Sequence, residues 1–67
     1  MSPNRLSGVL QTLREGAGMT QRDLAAKAKV TPGYVAQIEM GMKKNPSLDV
    51  LKRLARALGV PVARLLE

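Results

Sequence analysis

The 67-residue sequence contains no cysteine and no histidine. Disulfide bonds are therefore excluded, and so are the usual zinc sites, which need cysteine or histidine ligands. We expect neither a metal nor another cofactor. Because so short a chain buries only a modest core, helix packing or self-association must stabilise it. The absence of cysteine also fits an intracellular protein, and we expect a cytoplasmic location.

Phenylalanine and tryptophan are also absent, and Tyr34 is the only aromatic residue. RNA-binding sheets and single-strand grooves stack bases on aromatic side chains, so both kinds of protein are disfavoured. No apolar run approaches the roughly 20 residues that span a membrane. The N-terminal segment also lacks the pattern of a signal peptide. We therefore expect no association with a membrane.

Acidic residues are scarce in this sequence. Eleven Lys and Arg residues stand against five Asp and Glu residues, which gives a formal net charge of +6 at pH 7. Such an excess is typical of proteins that bind phosphate groups, although many small basic proteins bind nothing acidic. With few carboxylates and no histidine or cysteine, the sequence has no catalytic constellation. We do not expect an enzyme.

The helical spacing of apolar residues predicts five short helices, and no segment has the alternation of a strand. The first helix is predicted at about residues 4–15, with an apolar side formed by Leu6, Val9, Leu10 and Leu13. A fourth helix begins after Ser47 and ends at Gly59, with an apolar face formed by Leu48, Leu51, Leu54, Ala55 and Leu58. A short fifth helix follows Pro61.

The most informative segment, residues 19–41, predicts two short helices joined by a tight turn. Thr20 and Asp23 have the spacing of a capping box at the start of helix two. Thr31 is a good cap for helix three, and Pro32 suits the first helical position, where a missing N–H has no consequence. The connection between the two helices is too short for anything but a sharp turn.

From Leu13 onward, the chain closely resembles the helix-turn-helix family of phage repressors and Cro proteins, also called the XRE family. The matching text is LREGAGMTQRDLAAKAKVTPGYVAQIEMG followed by PSLDVLKRLARALGVPVARLL. The resemblance implies that residues 1–67 form a single all-α, lambda-repressor-like domain of five short helices, with the helix-turn-helix unit at about residues 20–40. It further implies a transcriptional regulator of bacterial or phage type that binds double-stranded DNA.

Family members place helix three, here about residues 31–40, in the major groove and read bases from its leading face. In this sequence, that face consists of Thr31, Pro32, Gly33, Tyr34 and Gln37. Pro32 and Gly33 have no hydrogen-bonding side-chain group, so direct readout would rest on Gln37 and Tyr34. The alternative for Tyr34 is that its ring covers the edge of the core.

The resemblance also indicates where DNA phosphates would be held. Gln21 matches a family residue that hydrogen-bonds a phosphate and braces the recognition helix, and a helix N-terminus suits an anion. The basic loop after helix three matches a segment that contacts the DNA backbone. The predicted phosphate contacts are Gln21, Arg22, Lys43, Lys44 and Asn45, with Lys27 and Lys29 as further candidates. The alternative is that these are ordinary solvated side chains.

Two expectations concern stability. Arg14 and Glu39 match family positions that form a buried ion pair between helix one and the end of helix three; the alternative is two independent surface charges. Lys29 stands in the turn, where the family often has a glycine in left-handed conformation. Either the turn is shifted in this chain, or a strained lysine is tolerated there.

The resemblance implies a homodimer, at least on DNA, and an operator with two-fold symmetry. The predicted dimer surface lies around helix five and consists of Val60, Val62, Ala63 and Leu66; the alternative is that these residues cover the monomer's own core. The rival function is a protein-interaction module of antitoxin or coactivator type with the same fold. A further alternative is that the chain is the DNA-binding part of a longer regulator.

Overall fold

The computed structural model describes residues 5–66, which form five helices and contain no strand. The helices are α1 Arg5–Gly16, α2 Gln21–Ala28, α3 Pro32–Glu39, α4 Leu48–Leu58 and α5 Ala63–Leu66. The all-α prediction with five short helices is thus confirmed. The predicted start of helix one at residue 4 lies outside the described residues. Among residues 5–66, no helix has the length and apolar character needed to cross a lipid bilayer.

Hydroxyl side chains define the starts of α2, α3 and α4. At α2, the Thr20 hydroxyl accepts the Asp23 N–H at 3.0 Å, and the Asp23 carboxylate accepts the Thr20 N–H at 2.9 Å. This is the complete capping box that the sequence predicted. The hydrogen bond that the Thr20 N–H donates to the Asp23 carboxylate is the main reason why the pKa of Asp23 lies below its ordinary value. Thr31 and Ser47 each accept the N–H three residues ahead, at 3.1 and 3.2 Å.

The core forms where α2 packs against α3 and α4 while α1 packs against α3 and α5. Two alanines of α2, Ala25 and Ala28, are fully buried, and their small side chains let the neighbouring helices approach closely. Every helix contributes at least one buried residue, and the buried apolar set is Leu10, Leu24, Ala25, Ala28, Val35, Ile38, Leu51, Leu54, Ala55 and Leu65. The helix-turn-helix pair is therefore held in place by the rest of the domain.

The prediction for the apolar face of helix four is wrong at Leu48, which is 52% exposed. Leu48 is the first residue of α4, and the buried stretch begins one turn later at Leu51. Val50 packs partly against the core. Helical spacing alone could not show where along α4 the neighbouring helices begin to cover it.

The turn after α2 has a left-handed residue at Lys29, with φ 61° and ψ 44°. Lys29 is the only non-glycine residue with positive φ among residues 5–66. The following N–H, from Val30, donates to the Ala25 carbonyl at 3.0 Å and closes the helix end. Of the two alternatives for this turn, the structure has the strained lysine and not a shifted turn.

Lys29→Gly is expected to leave stability unchanged or to raise it by up to about 1 kcal/mol, because glycine adopts left-handed backbone without the Cβ clash. The matched control is Lys27→Gly, the same chemical change inside α2, which should lower stability by about 1 kcal/mol. Thermal unfolding of both variants measures the difference. A clear loss of stability in Lys29→Gly would contradict the left-handed turn.

Candidate nucleic-acid interface

A buried ion pair joins α1 to the last residue of α3. The Arg14 Nε donates to Glu39 Oε2 at 2.7 Å, and its Nη2 donates to Glu39 Oε1 at 3.0 Å. The two side chains are only 11% and 5% exposed. A third bond runs from Arg14 Nη1 to the Met19 carbonyl at 2.8 Å. The structure thus has the expected pair, in the two-pronged geometry that arginine makes with carboxylates.

Hydrogen bonding to Glu39 raises the pKa of Arg14 above its ordinary value, against the opposing effect of burial. The guanidinium therefore stays charged throughout the pH range in which proteins are stable. The charge is compensated by Glu39 and by one backbone carbonyl, so the network connects α1, the α1–α2 turn and α3. Glu39 is the carboxylate that balances this charge at hydrogen-bond distance.

Gln21, the first residue of α2, extends this network. Its Nε2 donates to Glu39 Oε1 at 3.0 Å, and this same oxygen accepts a bond from Arg14. Glu39 therefore holds the N-terminus of α2 against the C-terminus of α3. This is the geometry of a side chain that braces α3, while the contact of Gln21 with a phosphate stays a prediction.

The leading side of α3 forms one shallow concave surface, which we call the reading edge and which is lined by Thr31, Gly33, Tyr34, Gln37 and Lys43. Pro32 is exposed next to it. Tyr34 is half-buried and packs partly against the core, so its ring covers the core edge and also lines the reading edge. Four of the five predicted base-reading residues thus share one surface.

Lys43 reaches the reading edge because the loop after α3 folds back on that helix. The N–H groups of Met42 and Lys43 both donate to the Gln37 carbonyl, at 2.8 and 3.2 Å. The Lys43 Nζ lies 5.8 Å from the centroid of the Tyr34 ring, within the range of a cation–π interaction. Lys44 and Asn45 are exposed in the same loop and do not line the reading edge.

The remaining candidate cations lie elsewhere. Arg22 is exposed on the first turn of α2. Lys27 and Lys29 line a second concave surface together with Arg53 and Arg56 of α4. The Arg53 Nη1 donates to the Lys29 carbonyl at 3.4 Å. The structure therefore separates Lys27 and Lys29 from the reading edge.

The sequence reasoning did not place Arg53 and Arg56 on a shared basic surface. Their spacing of three residues puts both on one side of α4, and this spacing could have indicated a shared basic surface. That this side meets the end of α2 depends on how α4 packs against α2, and helical spacing carries no information about it.

The four residues of the predicted dimer surface have two kinds of environment. Val60 and Val62 are half-buried and pack against the core, as the alternative had it. Ala63 is exposed and Leu66 is 57% exposed. Ala63 and Leu66 therefore leave the larger part of the apolar surface open to a partner, and the dimer surface stays a prediction.

The helices α2 and α3, the sharp turn between them and the supporting α1 and α4 define a helix-turn-helix domain. The family profile described as helix-turn-helix matches residues 10–65. The chain therefore belongs to the XRE-type helix-turn-helix family, and the resemblance seen in the sequence is confirmed.

The chain is 38% identical to the HTH-type transcriptional regulator DdrOP3 of Deinococcus deserti over 58 aligned residues. The aligned segment makes up 87% of this chain and 44% of that protein. It thus spans less than half the length of this relative. Among solved structures, the restriction-modification controller protein C.AhdI of Aeromonas hydrophila superposes with a TM-score of 0.88, at 30% identity over 94% of both chains. The biofilm master regulator SinR, solved in complex with DNA, superposes with a TM-score of 0.89, at 31% identity over 92% of this chain and 98% of that one.

Proposed function

We propose that this domain binds double-stranded DNA sequence-specifically, as a regulator of the Cro and repressor type with α3 in the major groove. The observation that carries the proposal is the reading edge on α3, which the buried network of Arg14, Glu39 and Gln21 holds in register with the N-terminus of α2. The major groove is wide enough to admit a helix. The structural similarity to SinR, which was solved in complex with DNA, supports DNA binding by this domain.

The side chains of the reading edge have unequal roles in this proposal. Gln37 is the main reader, because its amide can form two hydrogen bonds with adenine. Tyr34 adds a hydroxyl next to it, and Pro32 can touch a thymine methyl group. Gly33 has no side chain and admits a close approach of the backbone to the DNA. Thr31 caps α3 and keeps these residues at the front of the helix.

Phosphate contacts supply affinity and register on either side of α3. Gln21 stands at the N-terminus of α2, where free backbone N–H groups and the positive end of the helix dipole favour an anion. Arg22 lies next to it, and Lys44 and Asn45 are exposed on the loop beyond α3. These groups can therefore contact the two backbones that flank the groove.

A single small module binds DNA weakly, so the proposal includes a homodimer on an operator with two-fold symmetry. The exposed Leu66 and Ala63 supply the apolar surface, and the half-buried Val60 and Val62 adjoin it. Two recognition helices in such a dimer lie about 34 Å apart, which is one turn of DNA.

The experiment that tests the proposal selects bound sequences from a pool of random duplexes. A gel-shift titration then compares the selected duplex with a scrambled one of equal length and composition. We expect paired half-sites one helical turn apart and an affinity at least roughly a thousandfold above that for the scrambled duplex. Equal affinity for both duplexes would contradict the proposal and favour the protein-interaction module.

Gly33→Ala is expected to raise the stability of the protein and to weaken binding to the selected duplex. Gly33 is helical and exposed, and a methyl group there would meet no atom within 4 Å apart from its own helix backbone and chain neighbours, so the change should add a few tenths to about 1 kcal/mol. The control is Gly8→Ala, which also adds a methyl into open space on an exposed helical site, in α1. Melting curves should rise for both variants, whereas the affinity should fall only for Gly33→Ala. Unchanged affinity in Gly33→Ala would contradict a close approach of the DNA to the backbone at Gly33.

A further inference from the structure

Lys43 occupies a different environment from its neighbour in the basic loop. It lines the reading edge with Gln37 and Tyr34, while Lys44 lies outside this surface. Two contacts keep it there. Its backbone N–H donates to the Gln37 carbonyl at 3.2 Å, and its ammonium lies 5.8 Å from the centre of the Tyr34 ring.

The Lys43 side chain therefore lies across the face of α3 that would meet the base edges. A lysine that holds a phosphate is expected at the rim of the interface, where the DNA backbones run, and Lys44 is exposed in that loop. Lys43 instead shares the concave surface with the principal reader Gln37. Gly33 and the adjacent Pro32 supply no side-chain hydrogen-bonding group, so Lys43 is, among residues 5–66, the one cation on a surface whose other polar side chains are Thr31, Tyr34 and Gln37.

We infer that Lys43 is a base-reading residue, which donates to the O6 and N7 atoms of a guanine in the major groove beside the base pair contacted by Gln37. Guanine is the base that offers two acceptors in the major groove, and lysine has donors and no acceptor. The inference rests on the proposed function and deepens it. It predicts a G·C pair in each half-site, next to the A·T pair read by Gln37.

Tyr34 acts in this arrangement as a positioning residue for the ammonium. Its aromatic face attracts the cation and limits the directions in which the lysine can point. Tyr34→Phe keeps the ring and should therefore keep the preference for guanine. Tyr34→Leu removes the ring and should weaken the preference for guanine at the same base pair, even though residue 43 is still a lysine.

The test measures the affinity of the wild-type protein, Lys43→Ala and Lys44→Ala for the selected operator and for every single base-pair substitution in one half-site. For the wild type, replacing the guanine should lower affinity roughly 5- to 150-fold, the range of one specific base contact. Lys43→Ala should abolish discrimination at this base pair alone. Lys44→Ala should weaken all duplexes by one common factor and preserve the base preferences. Thermal melting checks that both variants are folded.

The outcomes separate the inference from the proposed function. If the wild type is selective and Lys43→Ala weakens every duplex equally, or has no effect, Lys43 does not read a base. This outcome overturns the inference and leaves the proposed function standing. If the wild type binds all duplexes with equal affinity, the proposed function and the inference both fall. Loss of preference at one G·C pair in Lys43→Ala, with the other preferences retained, supports both.

Discussion

Glu39→Gln is expected to remove a large share of the protein's free energy of unfolding. The substitution leaves the Arg14 guanidinium buried without its carboxylate, and such a change typically costs about 3–5 kcal/mol. A domain of this size has a total stability of only roughly 3–10 kcal/mol. The amide also alters the acceptor used by Gln21. The midpoint of thermal unfolding should fall by more than about 10 °C.

Circular dichroism melting curves measure this effect, and Glu15→Gln provides the matched control. Glu15 also lies near Arg14, at 3.7 Å from Nη2, but its side chain is 60% exposed. Exposed ion pairs contribute about 0–1 kcal/mol, so Glu15→Gln should melt almost like the wild type. Equal melting curves for Glu39→Gln and the wild type would show that the buried pair does not stabilise the fold.

A second control removes both charges together. Arg14→Met combined with Glu39→Leu replaces the ion pair by apolar side chains and leaves no buried charge behind. Replacements of this kind are often neutral or stabilising, so the double variant should melt well above Glu39→Gln. Its DNA affinity should nevertheless fall, because Gln21 loses the acceptor that braces it against α3. This variant separates the effect of the network on stability from its effect on the interface.

Affinity for the selected duplex is expected to fall about 150-fold between 50 and 200 mM salt. In the proposed complex each domain presents two phosphate-binding cations, Arg22 and Lys44, because Lys43 is assigned to a guanine, so a dimer presents about four. At a slope of about −0.9 per neutralised phosphate, the logarithm of affinity should change with the logarithm of salt concentration at a slope of about −4. A monomer would give about −2 and a fall of only about 12-fold.

Titrations at four or more salt concentrations measure this slope, with Lys44→Ala and Lys52→Ala as a pair of variants. Both lysines are exposed, but Lys52 lies on α4 and is part of neither the reading edge nor the basic loop. Lys44→Ala should reduce the magnitude of the slope by about 2 in a dimer, and Lys52→Ala should leave it unchanged. A flat salt dependence of the wild type would contradict phosphate binding altogether.

The same carboxylate supports both the fold and the proposed DNA interface. Glu39 balances the buried Arg14 and, through one of its oxygens, positions Gln21 at the N-terminus of α2. Single variants that remove only Glu39 or only Arg14 are therefore expected to lose DNA binding together with stability. Variants on the reading edge, such as Lys43→Ala, should change binding while the melting curve remains close to that of the wild type.

The local features of this fold were predictable from the sequence, because they depend on neighbouring residues. Thr20, Thr31 and Ser47 cap helices since a hydroxyl can accept an N–H three residues ahead, and this geometry needs no distant partner. Helical spacing likewise identified buried residues such as Leu10 and Leu54. The Arg14–Glu39 pair followed from the family resemblance and not from spacing.

Contacts between distant segments could only come from the tertiary structure. Leu48 fits the apolar period of α4 but is exposed, because the buried part of that helix begins one turn later. Arg53 and Arg56 join Lys27 and Lys29 only because α4 packs against α2. Lys43 lies on the reading edge and not at the rim because its loop folds back onto the Gln37 carbonyl. The sequence by itself thus determined where helices begin, end and present apolar sides, whereas the packing of those sides determined which polar groups meet.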